Sequence, residues 1–252
     1  MQFRFKAFSL HLLGSIAVLG TVLGTLYAGW YRWPGWYLTD ALQVVPLIAL
    51  VDLVLGPLLT LVIANPAKPR RELARDIGMI AAVQIVALLY GATTLWQGRP
   101  LYYAFSVDRL QLVQASDLGE RETQLARQLN PAFAPHWYRV PRWVWAPLPD
   151  DEKTRSEIVG SAIQGGDDVI QMPRYFRPWD QGLPQLREQL RPLAVQRGIA
   201  RIKTRGELAT RMRQQRLELD TANTLLFTGR GNRLLVVFDR GTLQIKAMLR
   251  MD

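Results

Sequence analysis

Residues 10–30 read LHLLGSIAVLGTVLGTLYAGW, a stretch without Asp, Glu, Lys or Arg. An apolar run of about 20 residues is long enough to cross the hydrocarbon core of a bilayer as a helix. Two further long apolar runs follow at residues 42–64 and 77–96. The sequence therefore predicts a transmembrane region of residues 1–97, with three membrane-spanning helices at about 10–30, 42–64 and 77–96.

The basic residues of this region are unevenly placed around the three runs. Arg4 and Lys6 precede the first run, and four more lie between the second and third, at residues 68–75. Between the first and second runs only Arg32 occurs, offset by Asp40. Lys and Arg in short loops favour the cytoplasmic side. We therefore expect a multi-pass inner-membrane protein whose N-terminus is cytoplasmic and whose first run is an uncleaved anchor.

An aromatic segment follows the first run and contains Trp30, Tyr31, Trp33, Trp36 and Tyr37. Trp and Tyr prefer the interface between membrane and water. We expect these side chains to mark the outer face of the bilayer, around a tight connection between two antiparallel spans.

Gly20 and Gly24 form a G-x-x-x-G pair in the first span. Small residues at this spacing allow a second helix to approach closely. That helix could be another span of this chain, which is the simpler interpretation, or the membrane helix of a partner. Gly20 and Gly24 are therefore candidate partner-binding residues.

Asp52 lies near the middle of the second span, and Gln84 of the third span is expected at a similar depth. An ionised carboxylate at the centre of a bilayer costs about 2.5–3.5 kcal/mol, so it must face protein or be neutral. A hydrogen bond between Asp52 and Gln84 is one interpretation, and direct recognition of a partner by Asp52 is the other. Proton relay is disfavoured, because the other spans supply no chain of ionisable residues to continue it. His11 is expected at a membrane edge. Gly56-Pro57 predicts a kink one turn after Asp52.

The region 98–252 is predicted to be a periplasmic α+β domain. Alternation in residues 101–107 predicts a half-buried strand, with Tyr103, Phe105 and Val107 on one face. Capping boxes predict helices that start at Asp117, Thr154 and Thr204. The predicted helices cover about 118–130, 155–164, 182–197 and 205–218, and Pro192 is expected to bend or break the third of them. Further strands are expected at 110–113, 224–227, 233–238 and 243–249, with turns at residues 229–232 (GRGN) and 239–242 (DRGT).

Residues 135–149 read PHWYRVPRWVWAPLP, which packs three Trp, a Tyr and four Pro into what we interpret as a loop. Trp, Tyr and Arg are enriched in binding hot spots. The alternatives are a loop folded onto its own core, a partner contact and a bilayer contact. Trp137, Trp143 and Trp145 are candidate partner-binding residues.

Composition argues against several classes of function. The chain has no Cys and two separated His, so no catalytic or metal site is predicted and no cofactor is expected. The net charge of +10 suits an acidic partner surface or a lipid bilayer. Nucleic acid is not expected, because basic and acidic residues alternate.

The N-terminal part resembles the type IV pilin accessory proteins. The resemblance lies in residues 52–61 (DLVLGPLLTL) and in shorter matches at 65–66, 71–73, 76, 84, 87–88, 90–91, 99–100 and 107–109. It implies a non-enzymatic inner-membrane chaperone that stabilises a type IV pilin and promotes pilus assembly, and it carries over no catalytic residue. The expected partner is the major pilin, through its membrane helix and with its head domain as a second candidate contact.

Two rival functions remain on sequence grounds. A membrane-anchored sensor or ligand-binding protein would use the periplasmic domain for its ligand, but the cytoplasmic segments are too short for an output module. An enzyme acting on envelope glycans or lipids ranks third, for want of a paired acid and base. Oligomeric state stays open.

Overall fold

The computed structural model describes residues 1–199 and 201–251 and separates into two compact units. Residues 1–32 and 40–98 form a helical unit, and residues 33–39 and 99–252 form a sheet unit. Asp252, the last residue of the predicted outer domain, lies outside the described residues. One division of the structure falls after residue 98, next to the predicted boundary between 1–97 and 98–252, whereas the assignment of residues 33–39 to the second unit has no counterpart in the prediction.

Long helices build the first unit. They are α1 (Gln2–Gly29), α3 (Ala41–Ala49), a π-helical turn (Leu50–Leu55), α4 (Gly56–Ile63) and α5 (Arg70–Gln97), with the short α2 (Gly35–Leu38) assigned to the other unit. Within the described residues, three stretches are long and apolar enough to cross a membrane: Gln2–Gly29, Ala41–Ile63 and Arg70–Gln97. The first and third begin about two turns before the predicted runs.

The middle stretch changes its helical winding where the sequence predicts a kink. The π-helical turn Leu50–Leu55 contains Asp52 and ends just before Pro57. Pro57 has no backbone N–H to donate, and local π winding is a common way for a helix to re-satisfy the carbonyl groups that such a residue frees. The carbonyl of Asp52, inside this π-helical turn, accepts a hydrogen bond from Gln84 on α5.

Within the described part of the second unit, seven strands form one mixed sheet. They are β1 (Pro100–Ser106), β2 (Arg109–Gln114), β3 (Arg142–Trp145), β4 (Arg177–Pro178), β5 (Thr224–Thr228), β6 (Arg233–Phe238) and β7 (Ile245–Arg250), in the spatial order β4-β3-β1-β2-β5-β6-β7. β1 is antiparallel to β2 and parallel to β3, and β2 is parallel to β5. The hairpins β5–β6 and β6–β7 close the sheet, as the turn residues predict.

Both faces of this sheet are covered. Successive side chains of a strand point to opposite faces, and in β1 Tyr103 and Phe105 join one hydrophobic cluster while Tyr102 and Ala104 join another. The prediction of a half-buried strand is therefore wrong, because all seven residues of β1 are buried. Val107 lies outside β1, in the turn to β2, with φ of 51°.

Besides α2, four α-helices of the sheet unit lie within the described residues: α6 (Glu120–Leu129), α7 (Glu152–Ile163), α8 (Leu183–Gln189) and α9 (Ile202–Gln214). None of the three with a predicted cap, α6, α7 and α9, starts at that cap. Asp151 caps α7, because its carboxylate accepts hydrogen bonds from both the backbone N–H and the hydroxyl of Thr154, at 2.8 and 2.6 Å. The carboxylate of Asp117 bonds to the backbone N–H of Gln114 instead of opening α6. α8 ends before Pro192, as expected.

Candidate partner-binding site

His11 joins the helices of the first unit through a polar cluster. Its Nε2 lies 2.6 Å from Oε1 of Gln84 on α5, and its Nδ1 lies 2.6 Å from the hydroxyl oxygen of Thr60 on α4. Gln84 Nε2 donates to the backbone carbonyl of Asp52 at 3.0 Å. His11 is therefore in contact with two other helices of the helical unit, and its expected position at a membrane edge stays a prediction.

Gly56 makes room for this cluster. A Cβ atom at position 56 would collide with the side-chain amide of Gln84. A glycine one turn after Asp52 therefore lets α5 approach α4 closely enough for the hydrogen bond to the Asp52 carbonyl. Gly91 acts similarly further along α5, where a Cβ would collide with Ile48.

The predicted pair of Asp52 and Gln84 does form, but through the backbone. The donor reaches the Asp52 carbonyl oxygen, and the buried Oδ1 of the carboxylate has no hydrogen-bond partner among the described residues. Asp52 is only 4% exposed. A buried acceptor without a donor is costly, so this oxygen is a candidate contact for a group that the chain itself does not supply.

Gly20 and Gly24 lie on an exposed face of α1. A Cβ atom added at either position would meet no described atom within 4 Å. The two glycines therefore do not mediate close packing between helices of this chain, which was the simpler interpretation. Their contact with a partner helix stays a prediction.

The aromatic loop of the sequence analysis is partly a strand. Residues 142–145 form β3, where Trp143 packs against Tyr103 and Phe227, with ring centroids 5.0 and 5.5 Å apart. Trp145 packs on the same core, and its indole N–H donates to Gln185 Oε1 at 3.0 Å. Of the three alternatives, Trp143 and Trp145 therefore fit the one in which the segment packs on its own core. Sequence periodicity could not reveal the strand β3, because it is short and four prolines surround it.

Trp137 is the largely exposed Trp of that segment, beside exposed Tyr138 and Val140. The segment before it is anchored by Tyr102, whose hydroxyl donates to the Phe133 carbonyl at 2.6 Å and whose pKa burial raises to about 12. Burial, with nearby Arg residues at positions 139, 127 and 142, lowers the pKa of His136. Trp137 therefore stays a candidate partner contact on an Arg-rich surface.

Residues 33–39, predicted to lie at the membrane interface, are built into the sheet unit. Leu38 and Tyr37 are buried in its main core. The backbone N–H of Arg230 donates to the Leu38 carbonyl at 2.9 Å, and the Asn232 amide donates to the Tyr37 carbonyl at 2.8 Å. The guanidinium of Arg250 lies 5.0 Å from the ring centre of Tyr37. Residues 33–39 are therefore part of a folded unit, which the sequence did not predict, and their position at the membrane interface stays a prediction.

Sequence reasoning missed His11 and Thr60 as members of the polar cluster. A signal was available, since both are polar residues inside apolar runs, where they are costly unless partnered. Across residues 1–199 and 201–251, no group of three or more His, Asp or Glu side chains is placed to hold a metal ion.

Together these features define a two-unit protein: three helices suited to a membrane, with a polar cluster inside them, and a mixed-sheet domain. The chain is 28% identical to the fimbrial assembly protein of serogroup I from Dichelobacter nodosus, over 99% of this chain and 96% of the relative. The serogroup E1 protein is 27% identical over the same shares. A third, from serogroups C1 and C2, is 28% identical over 46% of this chain and 88% of its own length.

This similarity over nearly the whole chain confirms the resemblance to the pilus accessory proteins and extends it into the sheet unit. The chain is therefore related to fimbrial assembly proteins. No family model matches it, and no solved structure matches it.

Proposed function

We propose that this chain is a non-enzymatic inner-membrane accessory protein that stabilises a type IV pilin and promotes its assembly into the pilus. The observation that carries the proposal is the similarity to fimbrial assembly proteins over 99% of the chain. A pilin before assembly holds a long apolar helix in the membrane and a head domain outside it. An accessory protein with membrane helices and an outer domain can contact both parts.

The proposed topology has a cytoplasmic N-terminus and a periplasmic sheet unit. The basic residues before α1 and between α4 and α5 support this orientation. The chain also enters the sheet unit twice, at residues 33–39 after α1 and at residue 99 after α5. With three spans, the ends of the first and third helices emerge on the same side of the membrane, so one domain can include both segments.

The topology predicts the behaviour of reporter fusions. Alkaline phosphatase, which is active only in the periplasm, should be active when fused after Arg109 or after Asp252, and inactive when fused after Lys68. Lys68 lies in the connection between α4 and α5, where it pairs with Asp76 at 2.8 Å. A cytoplasmic fluorescent reporter at the same three positions is the matched control and should give the opposite pattern. Activity after Lys68 with none after Asp252 would reverse the orientation.

The function predicts a dependence of the pilin on this chain. Deleting the gene should lower the amount of pilin in the membrane severalfold and reduce surface pili, because an unassembled pilin would lose its protecting partner. Affinity purification of the tagged full-length chain from solubilised membranes should recover the pilin. Re-expression of the wild-type chain is the control. Unchanged pilin levels and normal piliation in the deletion strain would refute the proposal.

A further inference from the structure

A groove of about 430 Å³ opens along the helical unit between α1 and α5. One wall is the α1 face from Ala7 to Val18, and the other is the α5 face from Ile77 to Leu88. Asp52 and Thr60 line it from the middle stretch. We call this feature the α1–α5 groove.

The groove has the dimensions of a helix-binding surface. Each wall covers eleven residue steps, which at about 1.5 Å per residue is roughly 16 Å, or three helical turns. Small residues at Ala7, Gly14 and Ala81 lie along the walls, and small side chains let a further helix approach closely. Leu10 and Ile85 of the two walls are exposed, so the groove is open to the side.

Three polar side chains that line the groove have hydrogen-bond partners. His11 bonds to both Thr60 and Gln84, and Gln84 also donates to the Asp52 carbonyl. The buried Asp52 Oδ1 has no hydrogen-bond partner within residues 1–199 and 201–251. Asp52 is also the central residue of the stretch Ala41–Ile63. An open acceptor therefore lies about half-way along a membrane-spanning segment.

We propose that the α1–α5 groove binds the membrane helix of the pilin, and that a hydrogen-bond donor on that helix bonds to Asp52 Oδ1. The apolar walls match an apolar helix, and the carboxylate oxygen requires a hydroxyl, amide or amine donor. A lipid acyl chain fits the walls but carries no donor at this depth, since the polar groups of a lipid lie at the interface. The inference rests on the proposed function and specifies which surface performs it.

Photo-crosslinking in intact membranes tests the groove. A benzophenone amino acid is placed at Ile85, which lines the groove and is 57% exposed, or at Val83, which is 66% exposed on α5 and does not line it. Both positions carry β-branched apolar residues, so they form a matched pair. We expect crosslinks to the pilin from position 85 to exceed those from position 83 at least tenfold.

The role of the carboxylate is tested by replacing Asp52. Asp52→Leu should reduce the pilin recovered with the full-length chain at least tenfold, whereas Asp52→Asn, which keeps an acceptor oxygen, should retain more of it. The amounts of accessory protein and pilin are measured in the same membranes. If Asp52→Leu lowers the amount of the accessory protein itself, the role of the carboxylate is judged from the pilin recovered by Asp52→Asn relative to wild type. The groove is then judged from the crosslinks at position 85.

The outcomes separate the two proposals. If the wild-type chain recovers pilin but positions 85 and 83 crosslink equally, or position 85 reaches only lipid, the groove proposal fails and the proposed function stands. Full recovery of pilin by Asp52→Leu overturns the role of the carboxylate. If the wild-type chain neither recovers nor crosslinks pilin, the proposed function fails and the groove proposal fails with it.

Discussion

Replacing Arg174 with alanine should lower the free energy of unfolding of the sheet unit by about 3–5 kcal/mol. Arg174 Nη1 donates to both carboxylate oxygens of Glu122, at 2.6 and 2.7 Å. The two side chains are only 17% and 9% exposed. Removing the guanidinium would leave a buried carboxylate without its counter-charge, and breaking such a pair from one side is strongly destabilising.

The matched control is Arg109→Ala. Arg109 Nη2 lies 2.7 Å from Asp168 Oδ2, but these side chains are 49% and 22% exposed. Water screens the exposed pair, so its loss should cost at most about 1 kcal/mol. Thermal unfolding of the full-length chain in detergent, followed by Trp fluorescence, measures the difference. Equal shifts for Arg174→Ala and Arg109→Ala would contradict the assignment of a buried pair.

Phe227→Ala should lower the free energy of unfolding by a similar amount, about 3–5 kcal/mol. Phe227 is fully buried on β5 and packs against the rings of Tyr103 and Trp143. It also stands at the join between the two halves of the sheet, where the β2–β5 register pairs it with Leu110. The substitution would open a cavity there, and packed surroundings collapse only partly into such a space.

The control for Phe227→Ala is Leu129→Ala, since Leu129 is a large apolar residue exposed at the end of α6. Its loss should change stability by no more than about 0.5 kcal/mol. For a unit of this size, a change of 3–5 kcal/mol corresponds to a fall of roughly 6–20 °C in the unfolding midpoint. A midpoint within 2 °C of wild type for Phe227→Ala, by the same fluorescence measurement, would show that the two halves of the sheet do not share this core.

The sequence by itself determined the features that depend on neighbours along the chain. Three apolar runs predicted three long helices, because a span of about 20 apolar residues needs no tertiary contact to be recognised. Turn residues around positions 229–232 and 239–242 predicted the closing β-hairpins, where the structure has β5, β6 and β7. The stretch DLVLGPLLTL at residues 52–61 carried the resemblance to the pilus accessory proteins, which the full-length relatives confirm.

Only the tertiary structure decided which distant residues meet. The sequence separates His11 from Gln84 by 73 positions, and no local pattern encodes their hydrogen bond. The parallel pairing of β1 with β3 likewise joins segments about 40 residues apart, so Trp143 and Trp145 became core residues of a sheet instead of loop residues. Residues 33–39 joined the sheet unit for the same reason. Local propensity is set by a few neighbours, whereas long-range contacts depend on packing free energy summed over the whole unit.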